Sequence, residues 1–307
     1  MNSERFKCVV LAIGSVLIVL LFVEGGMRGY HTWVKRRSPY IGDPELTFVH
    51  SKYTQPATER PPGVQRLIVL GDSVTDGYGV ETSERYQNQL AALLEREGER
   101  YEVITLAMPQ YSTAQEVALF ERVGVPLEPD WLVLGYVLND PIADGSINNF
   151  FRRDLAPSLL LYWVSARLAR ISPESKKMEE CEQFDYYSHS HCDRDLWGAV
   201  QGAFQRLEAL SRRDGFRVLV AIFPLLERDP AASFSTYPWA SVNAQVAREV
   251  RSHGFEVLDL LPAFATRTPA EIKINRGDVL HPNGLGHRLA AEAIFARIRG
   301  KPGILKP

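Results

Sequence analysis

From residue 66 onward, short unbroken apolar runs alternate with stretches whose apolar residues recur at helical spacing. RLIVLG (66–71) ends in glycine and suits a strand buried on both faces, as do WLVLGY (131–136) and RVLVAIF (217–223). YEVITL (101–106) and FEVLDL (255–260) also read as strands. Tyr86, Leu90, Leu93 and Leu94 predict a helix ending near Gly98, and further helices are expected over 114–123, 196–213, 239–252 and from about Leu285. Strands alternating with helices predict an α/β domain with a parallel sheet covered on both faces. Between Pro141 and Arg194 the rhythm breaks. An apolar helix candidate, Ser158 to Ile171, precedes a polar segment bearing Cys and His, so an insertion at the ligand-binding strand ends is expected over 141–194. Within it, LLLYWV (159–164) is expected to be buried core, ahead of an acyl pocket or a bilayer contact.

The front of the chain follows a different pattern. CVVLAIGSVLIVLLFV (8–23) carries no charge, and as a helix it is about 24 Å long at ~1.5 Å per residue. A hydrocarbon core wants about 20 apolar residues, so the run is slightly short unless Lys7 snorkels. A cleaved signal needs a small-x-small site after the run, and Glu24-Gly25-Gly26-Met27-Arg28 is a poor one. An uncleaved signal-anchor over 8–23, behind a short tail (1–7), is therefore the expectation. Counting Arg28, Lys35, Arg36 and Arg37 against Arg5 and Lys7 would put the following domain in the cytoplasm. A short tail, one helix and a long domain instead resemble an export anchor, and a single-pass protein with its domain on the exported side is expected. Residues 24–64, with five prolines and no clear period, read as a linker. The folded domain is expected over 65–300, with a tail at 301–307.

Composition narrows the function. Charged residues make up 23% and hydrophobic residues 45% of the 307, and the formal net charge is -2, so a folded protein without a nucleic-acid footprint is expected. The three cysteines form neither a metal-finger spacing nor a CxxC pair. Cys181 and Cys192 bracket His189 and His191. A disulfide Cys181–Cys192 closing a short loop is expected if the domain is exported, with free thiols or a zinc site as alternatives. His31, His50, His253 and His287 read as surface or packing residues.

Three clusters carry candidate chemistry. Gly71-Asp72-Ser73 follows the first strand and would present the Ser73 hydroxyl at its carboxyl end, although Asp and Ser there are also ordinary turn and cap residues. A following helix would direct backbone N–H groups at a developing oxyanion. Asp278 lies three residues before His281, and Pro282-Asn283-Gly284 then fixes a turn. That spacing lets the carboxylate receive the imidazole Nδ1–H, although a plain loop hydrogen bond would look the same. Asn139, in Asn139-Asp140 past the third strand, can donate its amide to an oxyanion or simply open a turn. Together they supply nucleophile, base, orienter and oxyanion donor in a consistent order.

At these residues the chain resembles the SGNH (GDSL-type) hydrolases. GDSVTDG (71–77), LGYVLND (134–140) and DVLHPNGLGH (278–287) look like that family's blocks, and the likeness runs from about Arg66 to Arg299. The resemblance implies a flavodoxin-like three-layer α/β/α sandwich and ester hydrolysis without metal or other cofactor. It also implies Ser73 as nucleophile, His281 as base, Asp278 as orienter, and an oxyanion hole from Ser73, Asn139 and a residue after the second strand. That last position is usually glycine and here is Gln110, in Ala107-Met108-Pro109-Gln110-Tyr111-Ser112, where a glycine-type backbone angle would be strained. The expected partners are a small-molecule, glycan or lipid ester and, through the N-terminal helix, a membrane. Acyl transfer to an envelope glycan, or a silent binding domain, are the alternatives to hydrolysis. Substrate and oligomeric state do not follow from the sequence.

Overall fold

The computed structural model describes residues 3–54, 59–143, 146–153, 156–169, 185–227 and 233–299. They form two compact units: residues 3–54 with 146–169, and the remainder.

The first unit begins with a helix, Ser3–Lys35, of 33 residues. At ~1.5 Å per residue it is about 50 Å long. Its segment Val10–Lys35 is long and apolar enough to cross a membrane, and the most apolar part of that segment is nowhere buried within the protein. The linker reading of 24–64 therefore needs correction in two places. Gly25 and Gly26 do not stop the helix, which runs on to Lys35. Beyond Pro39 the strands β1 (Tyr40–Asp43) and β2 (Thr47–His50) pair antiparallel. The hairpin is stable because its turn and its face are both satisfied. Asp43 Oδ1 accepts the Glu45 and Leu46 N–H groups at 3.0 and 2.8 Å, and buried Phe48 stacks on Phe151 with centroids 5.6 Å apart. Phe151 belongs to the helix Ser146–Arg152.

The helix Leu159–Ala169 also belongs to this unit. Leu159 is buried, but Leu161, Trp163 and Leu168 are 66%, 48% and 61% exposed, which overturns the expectation of buried core. An all-round apolar helix has no polar face to announce which side is solvated, so its pattern could not separate core from bilayer.

In the second unit, β3 (Gln65–Gly71), β4 (Tyr101–Ala107), β5 (Trp131–Tyr136), β6 (Arg217–Ile222) and β7 (Glu256–Asp259) form one parallel sheet in the order β4-β3-β5-β6-β7. Every residue of the central strand β5 is buried, as its unbroken apolar run requires. Helices flank the sheet, giving the expected three-layer α/β/α architecture. Tyr86–Arg96 packs with Gly284–Ile298, and Thr113–Leu119 packs with Arg194–Asp214. Amphipathic spacing explains the long helices: Arg194–Asp214 buries Val200, Phe204, Leu207 and Leu210 and starts on the Asp193 cap.

Strand order reverses between β3 and β5, the crevice where such sheets bind ligands. Gly71 and Gly135 lie opposite each other there. A Cβ on Gly71 would stand 2.1 Å from Thr75 Oγ1, and one on Gly135 2.8 Å from the Tyr86 hydroxyl. The two glycines make room for the buried Thr75–Tyr86 hydrogen bond of 2.9 Å, which holds the turn after β3.

Candidate active site

Ser73 opens a single helical turn, Ser73–Asp76, at the end of β3. Asp72 caps that turn through Oδ1, which accepts the Val74 N–H at 2.9 Å. The turn closes on Gly77 at φ +80°, whose N–H donates to the Ser73 carbonyl. A helix this short contributes little dipole, so any field on an oxyanion at Ser73 comes from individual donors more than from the dipole of the following helix.

The Ser73 hydroxyl lies 2.8 Å from His281 Nε2 and 3.4 Å from Asp72 Oδ2, so the imidazole is its closer partner. His281 Nδ1 is 2.9 Å from Asp278 Oδ2 and 3.1 Å from Oδ1. With its proton on Nδ1, the ring donates to Asp278 and accepts from Ser73. Asp278 Oδ1 also accepts the Leu280 and His281 N–H groups at 2.8 and 2.7 Å. Burial raises the pKa of the Asp278 carboxyl, but the hydrogen bonds from His281 and Leu280 outweigh it and the net value is lowered. Asp278 is therefore an anion facing an imidazole.

The loop carrying this pair is held from several sides. The Leu226 N–H, beyond β6, donates to the Val279 carbonyl at 2.8 Å, and Lys273 and Pro282 form an isolated β-bridge. Asn283 caps the last helix through Oδ1, accepting from Leu285 and Gly286, while its amide donates to the Glu271 carbonyl. Gly286 is needed for closeness: a Cβ there would meet Pro282 Cβ at 2.6 Å and the Ile272 carbonyl at 3.0 Å.

Asn139 follows β5 and donates from Nδ2 to Asp72 Oδ2 at 3.1 Å. That bond uses one amide hydrogen and leaves the other. Gln110, in the loop after β4, has φ +66°. The glycine-type angle is thus retained by a residue with a Cβ, the strained geometry expected from the sequence. The loop is anchored to β3 by Met108 N–H donating to the Gly71 carbonyl at 3.1 Å.

Three features of the site were not legible beforehand. Asp72 is fully buried, and its Oδ2 accepts both the Ser73 hydroxyl and the Asn139 amide. Behind it lie Glu116 and Asp140, also fully buried. Burial raises the pKa of Asp72 against the opposing Val74 N–H, the Asn139 amide and the His281 charge. Glu116 is pushed well up by burial and by Asp72, and Asp140 by burial, Glu116 and Asp72. The third feature is Tyr78, 59% exposed, whose ring centroid lies 4.7 Å from that of His281. Its only early signal was its place between Gly77 and Gly79, both at positive φ.

The Cys/His segment is organised differently. His191 Nε2 bonds the Tyr136 hydroxyl at 2.8 Å and its Nδ1 the Tyr187 carbonyl at 2.7 Å. Burial brings its pKa down to about 4, the setting of a neutral packed ring. Cys192 is disulfide-bonded, and Cys181 lies outside the described residues. Among the described residues no group of three or more His, Cys, Asp or Glu is arranged to hold a metal ion.

None of the curated proteins matches this chain. Similar solved structures include TesA (15% identity, TM-score 0.49, covering 76% of this chain and 98% of that one). An acetyl xylan esterase, AlAXEase, aligns at 15% identity and TM-score 0.48 over 76% of this chain and 99% of its own. The lipase/acylhydrolase from Enterococcus faecalis aligns at 17% and 0.47 over 78% and 97%. A family model settles the affiliation more directly: that of the GDSL-like Lipase/Acylhydrolase family matches residues 69–289, from within β3 into the last helix. The matched span covers most of the chain and contains Ser73, Asn139, Asp278 and His281, so the chain belongs to the GDSL-like lipase/acylhydrolase family and is an ester hydrolase.

Proposed function

We propose that the protein hydrolyses its ester through a covalent acyl-Ser73 intermediate, with His281 as base and Asp278 as orienter. The observation that carries this reading is the continuous hydrogen-bonded line Ser73 Oγ–His281 Nε2, His281 Nδ1–Asp278 Oδ2 at 2.8 and 2.9 Å. Ser73 Oγ attacks the ester carbonyl as its proton passes to His281 Nε2. The Ser73 N–H, the Gln110 N–H and the second hydrogen of the Asn139 amide stabilise the oxyanion. Collapse breaks the C–O bond to the alcohol, which takes the proton from His281. A water then gives His281 a proton as it attacks the acyl-Ser73 carbonyl, releasing the acid and restoring the hydroxyl. Asp278 stays ionised and holds the imidazole tautomer.

In this reading the N-terminal helix is a single-pass anchor and the hydrolase unit lies on the exported side, where a disulfide at Cys192 suits an oxidising compartment. The substrates in view are O-acetyl groups on carbohydrate and lipid esters. Ser73→Ala is expected to lower turnover of a short-chain aryl ester by roughly 10³-fold or more, with an unchanged far-UV circular dichroism spectrum. Turnover retained in that variant rules the assignment out.

A further inference from the structure

The N-terminal helix ends its uncharged run at Glu24, which should mark the edge of the hydrocarbon. Its surroundings say otherwise. Glu24 Oε1 accepts the Leu159 N–H at 3.0 Å and Arg28 Nε at 2.6 Å. Its Oε2 accepts the Leu160 N–H at 2.9 Å and the Ser158 hydroxyl at 3.0 Å. Arg28 also donates to the Pro157 carbonyl at 2.8 Å. The carboxylate thus meets four donors, one of them the counter-charge Arg28, the state that lets an acid sit at membrane depth. It also caps the helix Leu159–Ala169, fixing that helix to the anchor at one end.

The described part of that second helix has 11 residues, about 16 Å at ~1.5 Å per residue. Its outer side presents Leu161, Val164 and Leu168, an exposed apolar face, while the half-exposed Trp163 stands on the side toward the anchor. An open groove of about 620 Å³ runs along it, lined by Leu161, Tyr162, Val164 and Leu168 together with Arg152, so that apolar side chains and a basic group share one trough. Aromatic rings and basic groups accompany this face in the pattern of a membrane interface. Tyr30 and Trp33 are exposed on the anchor, the Arg37 guanidinium lies 4.1 Å from the Trp33 ring, and that of Arg167 lies 4.9 Å from the Trp163 ring. Tyr30 and Trp163 line one small cavity, which puts the two belts side by side.

We infer that the helix Leu159–Ala169 is an interfacial membrane helix, lying in the headgroup and upper acyl region of the leaflet where the anchor emerges. Its occupant is lipid, and the basic side chains Lys35, Arg36, Arg37, Arg152 and Arg167 select anionic headgroups. The inference rests on the anchor reading of the N-terminal helix. The protein then grips the leaflet with two helices joined through Glu24.

The test uses the full chain in vesicles of phosphatidylcholine and phosphatidylglycerol, with bromine carried near the headgroup end of the acyl chains. Of the five tryptophans, the contribution of Trp163 is read as the difference between wild type and Trp163→Phe, and that of Trp33 likewise from Trp33→Phe. The Trp163 contribution is expected to lose about half or more of its intensity, since an interfacial helix sits ~5–10 Å deep, and the loss should grow with the anionic fraction. Quenching of Trp33 alone overturns the inference and leaves the anchor standing. A chain that fails to float with vesicles overturns both. An unquenched Trp163 accompanied by a dimer in detergent assigns the face to a second copy instead. Unchanged aryl-ester turnover in Trp163→Phe shows that the variant is folded.

Discussion

Two regions flank Ser73, each contributing an aspartate, and they hold their carboxyls in opposite ways. The loop carrying Asp278 is partly open, and its backbone N–H groups converge on the carboxylate, so the group is an anion with its pKa lowered. The core behind Asp72 is closed, and it crowds Asp72, Glu116 and Asp140 together so that each is raised. Depth separates the two regions: Asp72 also accepts the Val74 N–H and the Asn139 amide, yet its complete burial raises it, while the partly open Asp278 is lowered by bonds of the same kind. Among the described residues neither oxygen of Glu116 has a hydrogen-bond partner, whereas Asp278 receives bonds from two backbone N–H groups and the imidazole. One region is built to keep a charge beside His281, the other to keep charge away from the back of the sheet.

The sharpest way to break that comparison is to neutralise each aspartate in turn. Asp278→Asn should lower kcat by about 10³–10⁴-fold, because an amide no longer holds the imidazole tautomer that accepts the Ser73 proton. Asp72→Asn should cost about 10–100-fold, by loosening the turn cap and the Asn139 amide. Steady-state kinetics on one aryl ester compares them directly, and equal losses would remove the distinction between the regions.

The next effect is on stability. Asp278, lowered from 3.8, contributes stability that is present above that value and lost as pH falls through its folded value. Glu116, raised from 4.5, does the reverse. Above that pH the unfolded chain releases a proton that the folded chain keeps, so stability declines as pH rises toward the folded value. Glu116→Met should therefore stabilise the protein by about 1–3 kcal/mol at pH 8, with the gain shrinking toward pH 4. Denaturant unfolding of the full chain in detergent at the two pH values measures this. A gain independent of pH would contradict the protonation account.

The smallest expected effect lies at Gln110. Its φ of +66° costs less with glycine, so Gln110→Gly should be more stable than Gln110→Ala by up to about 1 kcal/mol. The same unfolding measurement reads the difference, and an alanine variant as stable as the glycine one would show that the loop bears no strain.

These contrasts also explain what could be read from the chain in advance. β5 was legible because both its faces are buried, which writes an unbroken apolar run. Asp278 and His281 were legible because their partnership is local, three residues apart within one turn. The Asn139–Asp72 bond joins residues 67 apart, and no local pattern marks it. Glu116 escaped notice because the helix Thr113–Leu119 is buried on nearly every side, so it shows no polar face from which an acid would stand out. The length of the N-terminal helix was misjudged for a related reason. Glu24 looked like an end, and the groups that satisfy it, Ser158, Leu159 and Leu160, lie more than 130 residues away.

The central claim is that Ser73 is the nucleophile, and a covalent trap tests it most directly. The full chain is treated with a fluorophosphonate, digested with trypsin and examined by mass spectrometry. The account predicts a single adduct on the peptide Leu67–Arg85, localised to Ser73, and loss of labelling in His281→Ala. An adduct at another residue, or full hydrolytic activity in a protein whose Ser73 stays unlabelled, would contradict it.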